Sequence, residues 1–438
     1  MRTLVLVDGQ HVASVVRAAI QHIPLEIPGS MVVGAVLLGP GEKLASDDLA
    51  GIGTTVVHDL ADALARFRPD LVFDLSDEPV LDARRRMRLA AQVLVHGATY
   101  QGTDFRFDPP PRPRIATKPT IAVIGTGKRT GKTAVSAHVA RLLAARRTRP
   151  VVVAMSRGGP PEPELVDPAT YDLSPRGLLE LARTGRHAAS DHLEDAVVAG
   201  VPTVGTRRCG GGMAGAPGDN TFAAGVELAN GRPEALLVLE GSGAVIPPVH
   251  ADATICVIPA SIDRELVSGY LGAYRVLLSD LVAVTMAEPS FADSGAGVLE
   301  EDVRRLVPGV RVVHTVFRPF PLEPIAGRRV FFVTTAPASA VDLMAEHLES
   351  EHGGKVVGTT TWLADRHRLA ADLHAMPDAD VLLVELKAAA VDLAVPVALE
   401  RGMEVTFCDN RVVSIGGDGT FDELALAVAD TAVERFSA

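Results

Sequence analysis

Cysteine is nearly absent from this chain of 438 residues, which carries only Cys209, Cys256 and Cys408, none in a C-x-x-C spacing. That excludes a disulfide framework and a cysteine zinc site. Aromatic residues make up 4% of the chain against an apolar fraction of 47%, a balance that suits Ala/Val/Leu-rich α/β layers rather than a β-sandwich. No apolar run approaches membrane-spanning length. The apolar part of residues 1–8 is too short for a secretory signal and reads as a first strand, so a cytoplasmic protein without a membrane partner is expected. Positive charge is short as well. A formal net charge of −12 excludes the broad basic face on which duplex binding relies, and nucleic acid is not an expected partner. Lysine is scarce, yet Lys128 and Lys132 share one glycine-rich stretch.

That stretch runs Ile121-Ala122-Val123-Ile124-Gly125-Thr126-Gly127-Lys128-Arg129-Thr130-Gly131-Lys132-Thr133. A short apolar run, readable as a buried strand, empties into glycines. A helical pattern over 134–145 follows, with Val135, Val139, Leu142 and Leu143 on its apolar side. Strand, glycine-rich loop, Lys-Thr and helix are the context of a phosphate-binding loop. Glycines let successive N–H groups point into one concavity, and the helix N-terminus adds partial positive charge. Gly125 through Thr133 are therefore the expected ATP-binding residues, with Lys132 on the β/γ phosphates and the Thr133 hydroxyl on Mg²⁺. Thr126 stands where the common form has its first glycine, a spacing that resembles the dethiobiotin synthetase branch of P-loop enzymes. A βα turn that binds nothing is the bland alternative.

The length suits two or three domains. Residues 1–112 read as an N-terminal α/β domain, with strands expected at 3–7, 31–38, 54–57 and 71–73 and helices at 59–67 and 81–95. His11, in Asp8-Gly9-Gln10-His11 at the end of the first strand, sits where open α/β sheets place ligand-binding residues; a capping turn is equally consistent. A proline-rich run over 108–114 marks a boundary. Residues 113–290 read as the P-loop domain. Its strand at 150–155 ends in Ser156-Arg157-Gly158-Gly159-Pro160, which suits a phosphate contact with close backbone approach. A helix is expected at 191–199. Gly205-Thr206-Arg207-Arg208-Cys209-Gly210-Gly211-Gly212 offers guanidinium forks beside exposed amides, a second anion cradle or else a solvated loop. The strand at 235–239 closes on Glu240, where a Walker B carboxylate holding Mg²⁺ belongs. The strand at 281–286 runs into Ala287-Glu288-Pro289, in a position that resembles the adenine-recognition strand of P-loop enzymes, so Glu288 joins the ATP-binding set. Residues 291–438 read as a C-terminal α/β domain with strands at 310–316, 330–334, 355–360, 381–385 and 404–408 and helices at 338–349, 364–375 and 389–400. Lys387 follows the strand end at Glu385. The fold class expected is α/β: a central P-loop NTPase domain with a mostly parallel sheet, flanked by two Rossmann-like α/β domains.

Taken together, Gly125–Thr133, Arg157–Pro160, Arg207–Gly212, Glu240-Gly241-Ser242-Gly243, Thr315–Pro319, Thr334–Pro337 and Glu385–Asp392 resemble the cyclic 2,3-diphosphoglycerate synthetase family, over nearly the whole chain. The chain departs from the family's Asp-Gly-Glu-His-Tyr-Pro near its N-terminus, where it has Asp8-Gly9-Gln10-His11-Val12-Ala13. The resemblance implies an ATP- and Mg²⁺-dependent ligase that closes an intramolecular phosphoanhydride in 2,3-diphosphoglycerate and releases ADP and phosphate. Two phosphates pressed together beside ATP need dense positive charge and exclusion of water. Lys132, Lys128 and Arg157 are the expected catalytic cations. Arg157, Gly158, Arg207, Arg208, Gly210, Gly211, Gly212, His11 and Lys387 are the expected contacts to the acid substrate, and a homodimer is the expected assembly. A P-loop kinase without ring closure, and a nucleotide-switch or metal-insertion protein, are the alternatives. Partition-type switches carry lysine at the place of Thr126, and metal-insertion relatives would want Cys/His clusters; neither is present.

Overall fold

In the computed structural model the chain forms two compact units, described over residues 1–40, 46–186, 188, 190–288, 295–387 and 389–438. The first unit takes Met1–Pro111 together with two later segments, Ile262–Leu278 and Asp302–Pro308. Its sheet holds β1 (Arg2–Val7), β2 (Met31–Leu37), β3 (Val56–Val57), β4 (Leu71–Asp74), β5 (Thr99–Gln101) and β6 (Arg106–Phe107) in the order β3-β2-β1-β4-β5-β6. All pairs are parallel except β5 with β6. β1 is a continuous apolar run because it is covered on both faces, the signature of a parallel sheet. One cover is the helix Ala13–Glu26, which buries Val16, Ile20 and Ile23 at helical spacing. The later segments dock through charge. Arg84 pairs with Glu265 at 2.8 Å, and Arg264 grips both oxygens of Asp302 at 2.7 and 2.9 Å.

The second unit takes Arg112–Ser261, Ser279–Glu301 and Gly309–Ala438. Its strands are β7 (Thr120–Gly125), β8 (Pro150–Ser156), β9 (Glu164–Val166), β10 (Thr203–Arg207), β11 (Leu236–Glu240), β12 (Ala253–Pro259), β13 (Leu281–Thr285), β14 (Arg311–Pro321), β15 (Arg329–Val333), β16 (Lys355–Thr360), β17 (Val381–Glu385) and β18 (Glu404–Gly417). They form one 12-stranded sheet in the order β16-β15-β17-β18-β14-β13-β12-β7-β11-β8-β10-β9. The P-loop strand β7 lies between β12 and β11, parallel to both.

The mixed α/β class with mostly parallel sheets is as expected, and so are most of the strands. Where three domains were read, at 1–112, 113–290 and 291–438, the chain clusters into two units, and the 290/291 border, like Pro289 and Ala388, lies outside the described residues. The cause is β14 and β18. The strands expected at 310–316 and 404–408 continue to Pro321 and Gly417 and pair antiparallel from Val313–Gly417 to Pro321–Cys408. Since β14 also pairs with β13, and β18 with β17, the P-loop sheet and the C-terminal sheet become one. The cores merge accordingly. The last helix, Phe421–Ser437, caps itself through Thr420 and Glu423 and buries Phe421, Val428 and Ala432 beside Val135 and Val139 of the P-loop helix. The helix expected at 389–400 begins as a π turn over Ala390–Ala394 before Val395–Glu400.

One ion pair ties the P-loop helix to β18. Arg141 reaches Asp409 at 2.8 Å, and Asp409 is 2% exposed. Burial pushes the Asp409 carboxyl up, against the charges of Arg141 and Arg411. Breaking a buried pair strands its survivor. Arg141→Met is expected to cost about 3 kcal/mol at pH 7, read as a lower urea midpoint. The deficit should shrink at pH 5, where the stranded Asp409 takes up a proton. A deficit that grows towards acid would contradict the assignment.

Candidate functional site

The elements that carry the glycine-rich loop converge on a cavity of about 730 Å³ lying wholly in the second unit. The loop is shaped by two close approaches. A Cβ on Gly125 would lie 2.9 Å from Lys132 Cδ and from Thr130 Oγ1. Gly131, with φ +90°, begins the Lys132–Ala145 helix, and a Cβ there would strike the Phe317 ring at 2.2 Å. Phe317 belongs to β14, so the loop is wedged from the fused half of the sheet. Thr285 at the end of β13 donates its hydroxyl to Thr130 O at 2.8 Å and holds the loop from beneath.

Lys132 is 7% exposed and donates to Gly127 O at 2.7 Å and Thr130 Oγ1 at 3.2 Å. Burial lowers its pKa to about 8, against Glu240 and Asp191, whose charges favour the ammonium. Thr133 donates its hydroxyl to Glu240 Oε1 at 2.8 Å. Glu240 Oε2 is buried without a hydrogen-bond donor. Burial raises Glu240 to about 7, and the Asp195 carboxyl lies against it. Asp195 is fully buried, and burial together with the charge of Glu240 holds it far above the usual carboxylate range. Two more acids of the same helix, Asp191 and Glu194, line the cavity.

Among the described residues no group of three or more His, Cys, Asp or Glu is arranged as a metal cage. The donor set beside the loop is the Thr133 hydroxyl and the open Oε2 of Glu240, with Asp191 on the same wall. That fits a hard cation that keeps most of its waters, as Mg²⁺ does.

A further part of the wall comes from the C-terminal part of the chain. Glu385 accepts from Thr334 Oγ1 at 2.6 Å, Thr335 N at 2.9 Å, Thr335 Oγ1 at 2.8 Å and Asn410 Nδ2 at 2.9 Å. Burial alone would raise its pKa, but Lys387 and these donors bring it below the usual value. Three of these donors come from Thr334 and Thr335 and anchor the segment Thr335-Ala336-Pro337 at the N-terminus of the Ala338–His352 helix, where it lines the cavity. Lys387 also lines it, 3.3 Å from Glu194 Oε1. Burial works against the Lys387 ammonium, yet Glu194 and Glu385 carry its pKa upward overall.

Of the residues singled out from sequence, Lys128, Arg129, Thr130, Gly131, Lys132, Thr133, Arg157, Gly158, Glu240, Glu288 and Lys387 line this cavity. Glu288 is held at both oxygens by Arg318, at 2.6 and 3.1 Å. Arg208 turns inward and donates to Gly210 O at 2.9 Å and Ser242 O at 2.8 Å. Its neighbour Arg207 is exposed, as are Gly210, Gly211 and Gly212, in a loop closed by bridges at Arg208–Asn220 and Gly211–Pro217. None of these four lines the cavity. His11 belongs to the first unit, where its Nδ1 lies 3.2 Å from Asp8 Oδ1. Sequence reasoning passed over Asp191, Glu194, Asp195 and Asn410. The acids at the start of a helix look like ordinary dipole complements, and only the packing shows that Glu194 and Asp195 are buried.

A parallel strand running into a glycine-rich loop, Lys-Thr on the helix that follows and an acid closing the adjacent strand define a P-loop domain. The family model described as the P-loop domain of cyclic 2,3-diphosphoglycerate synthetase matches residues 120–316, and the C-terminal and N-terminal domain models of the same synthetase match 321–411 and 2–108. The chain is 44% identical over 434 residues to the cyclic 2,3-diphosphoglycerate synthetase of Rubrobacter xylanophilus, covering 98% of each chain. It is 42% identical over 449 residues to the cyclic 2,3-diphosphoglycerate synthetase of Methanothermobacter thermautotrophicus, covering 99% of this chain and 97% of the relative. It belongs to the cyclic 2,3-diphosphoglycerate synthetase family, a family of enzymes. A looser likeness in shape, with a TM-score of 0.40 at 14% identity over 72% of this chain and 90% of the other, is to LpxK from Aquifex aeolicus in complex with ATP.

Burial raises Glu194 to about 8, so the folded state holds a proton that the unfolded chain gives up near its ordinary 4.5. Between those values stability falls as pH rises. Glu194→Gln should flatten this fall. Melting temperatures from pH 5 to 8 should decline less steeply in the variant, and parallel curves would show that Glu194 is ionised throughout.

Proposed function

We propose that this protein closes an intramolecular phosphoanhydride in 2,3-diphosphoglycerate at the expense of ATP, giving cyclic 2,3-diphosphoglycerate, ADP and phosphate. The observation that carries the reading is the composition of one cavity. It joins the loop cations Lys128 and Lys132 to Arg157 at the end of β8 and Lys387 after β17, with a buried carboxylate oxygen of Glu240 that has no hydrogen-bond donor. The name shared by the relatives supplies the acid substrate.

The chemistry requires two displacements. An oxygen of one substrate phosphate attacks the γ-phosphorus of ATP, and the bond to ADP breaks. An oxygen of the second phosphate then attacks the phosphorus just activated, expelling inorganic phosphate and closing the ring. Both steps crowd anionic oxygens, so the protein's work is to place the groups in line and offset their charge. Lys132, held by the Gly127 carbonyl and the Thr130 hydroxyl, takes the γ-phosphoryl oxygens in this reading. Arg157 and Lys387 face the acid. Mg²⁺ bound by Thr133 and Glu240 near Asp191 would supply charge neutralisation on the nucleotide phosphates. Glu288, just past β13 and held by Arg318 of β14, falls to the nucleotide. A homodimer in the cytoplasm completes the reading.

Phosphorus NMR on ATP with 2,3-diphosphoglycerate tests it directly. ADP, phosphate and a new phosphoanhydride resonance are expected. ADP with a phosphorylated open-chain acid and no free phosphate would make the protein a kinase. Lys132→Ala should lower turnover about 10²–10³-fold through loss of charge stabilisation at the transferring group, in a variant whose melting curve is otherwise intact.

A further inference from the structure

The end of β11 leads into a tight turn. Ser242 N donates to Val245 O at 3.1 Å and Val245 N to Ser242 O at 3.0 Å. Gly243 lies inside it with φ +63°, on the wall of the cavity. Two guanidinium groups crowd the face it leaves bare. A Cβ at this position would lie 2.8 Å from Arg157 Nη2 and 3.2 Å from Arg208 Nη2. Like charges brought this close repel, and Arg157 is among the groups that lower the Arg208 pKa, after burial itself.

The two arginines are held differently. Arg208 is 9% exposed, clamped by two backbone carbonyls, and its Nε is buried without a partner. Arg157 is exposed to the cavity, and among the described residues its guanidinium makes no hydrogen bond or ion pair. The acid that acts on Arg208 is Asp191, from the facing helix. A fixed fork and a free fork side by side, without a bonded counter-acid between them, form a cradle for a dianion.

We propose that Gly243 is a specificity-determining position, whose missing side chain holds open an anion subsite between Arg157 and Arg208 that takes one phosphate of the bisphosphorylated acid. This rests on the function proposed above and adds a place for the phosphate that does not meet ATP. β8, β10 and β11, which carry these groups, lie on one side of the P-loop strand, and β13 and β14 with Glu288 lie on the other. The Arg157–Arg208 subsite and Glu288 thus lie on separate flanks of the P-loop strand. In Gly243→Ala the new methyl group pushes aside the far end of Arg157, a flexible chain, rather than backbone.

The test is calorimetric titration of the full chain with 2,3-diphosphoglycerate, 3-phosphoglycerate and ATP. The wild type should prefer the diphosphorylated acid. Gly243→Ala should raise its Kd tenfold or more, change 3-phosphoglycerate less and leave ATP within twofold. In an Arg157→Ala background the same substitution should add less than twofold. Gly243→Asn adds a Cβ but tolerates the left-handed region, so it should lose the acid equally. Additive losses, an equal fall in ATP affinity, or a loss in the alanine variant spared in the asparagine one would overturn the inference and leave the proposed function standing. A wild type that binds no 2,3-diphosphoglycerate would overturn both.

Discussion

The antiparallel pairing of β14 with β18 is the constraint on which the second unit depends. Either strand alone belongs to its own half: β14 extends the parallel P-loop sheet, and β18 extends the parallel sheet behind it. Pairing them along most of their length makes a single sheet with one continuous row of backbone bonds. That join brings the P-loop part and the C-terminal part together. Phe317 can wedge Gly131 because β14 runs past the loop, and Asn410 can hold Glu385 because β18 lies beside β17. Through Glu385 the join reaches Thr335 and the wall of the cavity.

Within that frame the cavity is organised by desolvation. Lys132, Glu194, Asp195 and Glu240 are buried in a small space, and burial works against every charged form. The result is an ammonium lowered to about 8 beside carboxyl groups raised to about 7 and 8. The arginines contribute differently, since they stay charged. Arg208 is immobilised by carbonyls, and Arg157 is left free to meet an anion.

The first unit keeps its chemistry to itself in a tighter form. Asp8 accepts from Gln10 N and Asp77 N, each at 2.8 Å, which links the ends of β1 and β4. Asp74 accepts from Tyr100 at 2.7 Å and Arg86 at 3.1 Å. These buried acids are satisfied from within, and they explain the polar strand ends that stand out in the sequence.

Much of the architecture was legible without coordinates, because period and punctuation are local. The P-loop, the acid at Glu240, the arginine after β8 and the helix at Asp191–Ala199 all follow from residues close in sequence. Four things were not. Two strands were read short, because an exposed stretch such as Val413–Gly417 gains its extended form only from a partner strand far away in the chain. The two mid-chain segments of the first unit carry no local mark of where they dock. Arg207 and Arg208 look alike as neighbours, but alternation sends one outward and the other towards Gly243, and only register decides which. Asp191, Glu194 and Asp195 read as a routine helix start, and the burial of Glu194 and Asp195 depends on what packs over them. The sequence by itself determined which chemical groups the loop would offer. The tertiary structure decided which of them share one water-poor space, because burial and register arise from contacts between segments that sequence spacing does not encode.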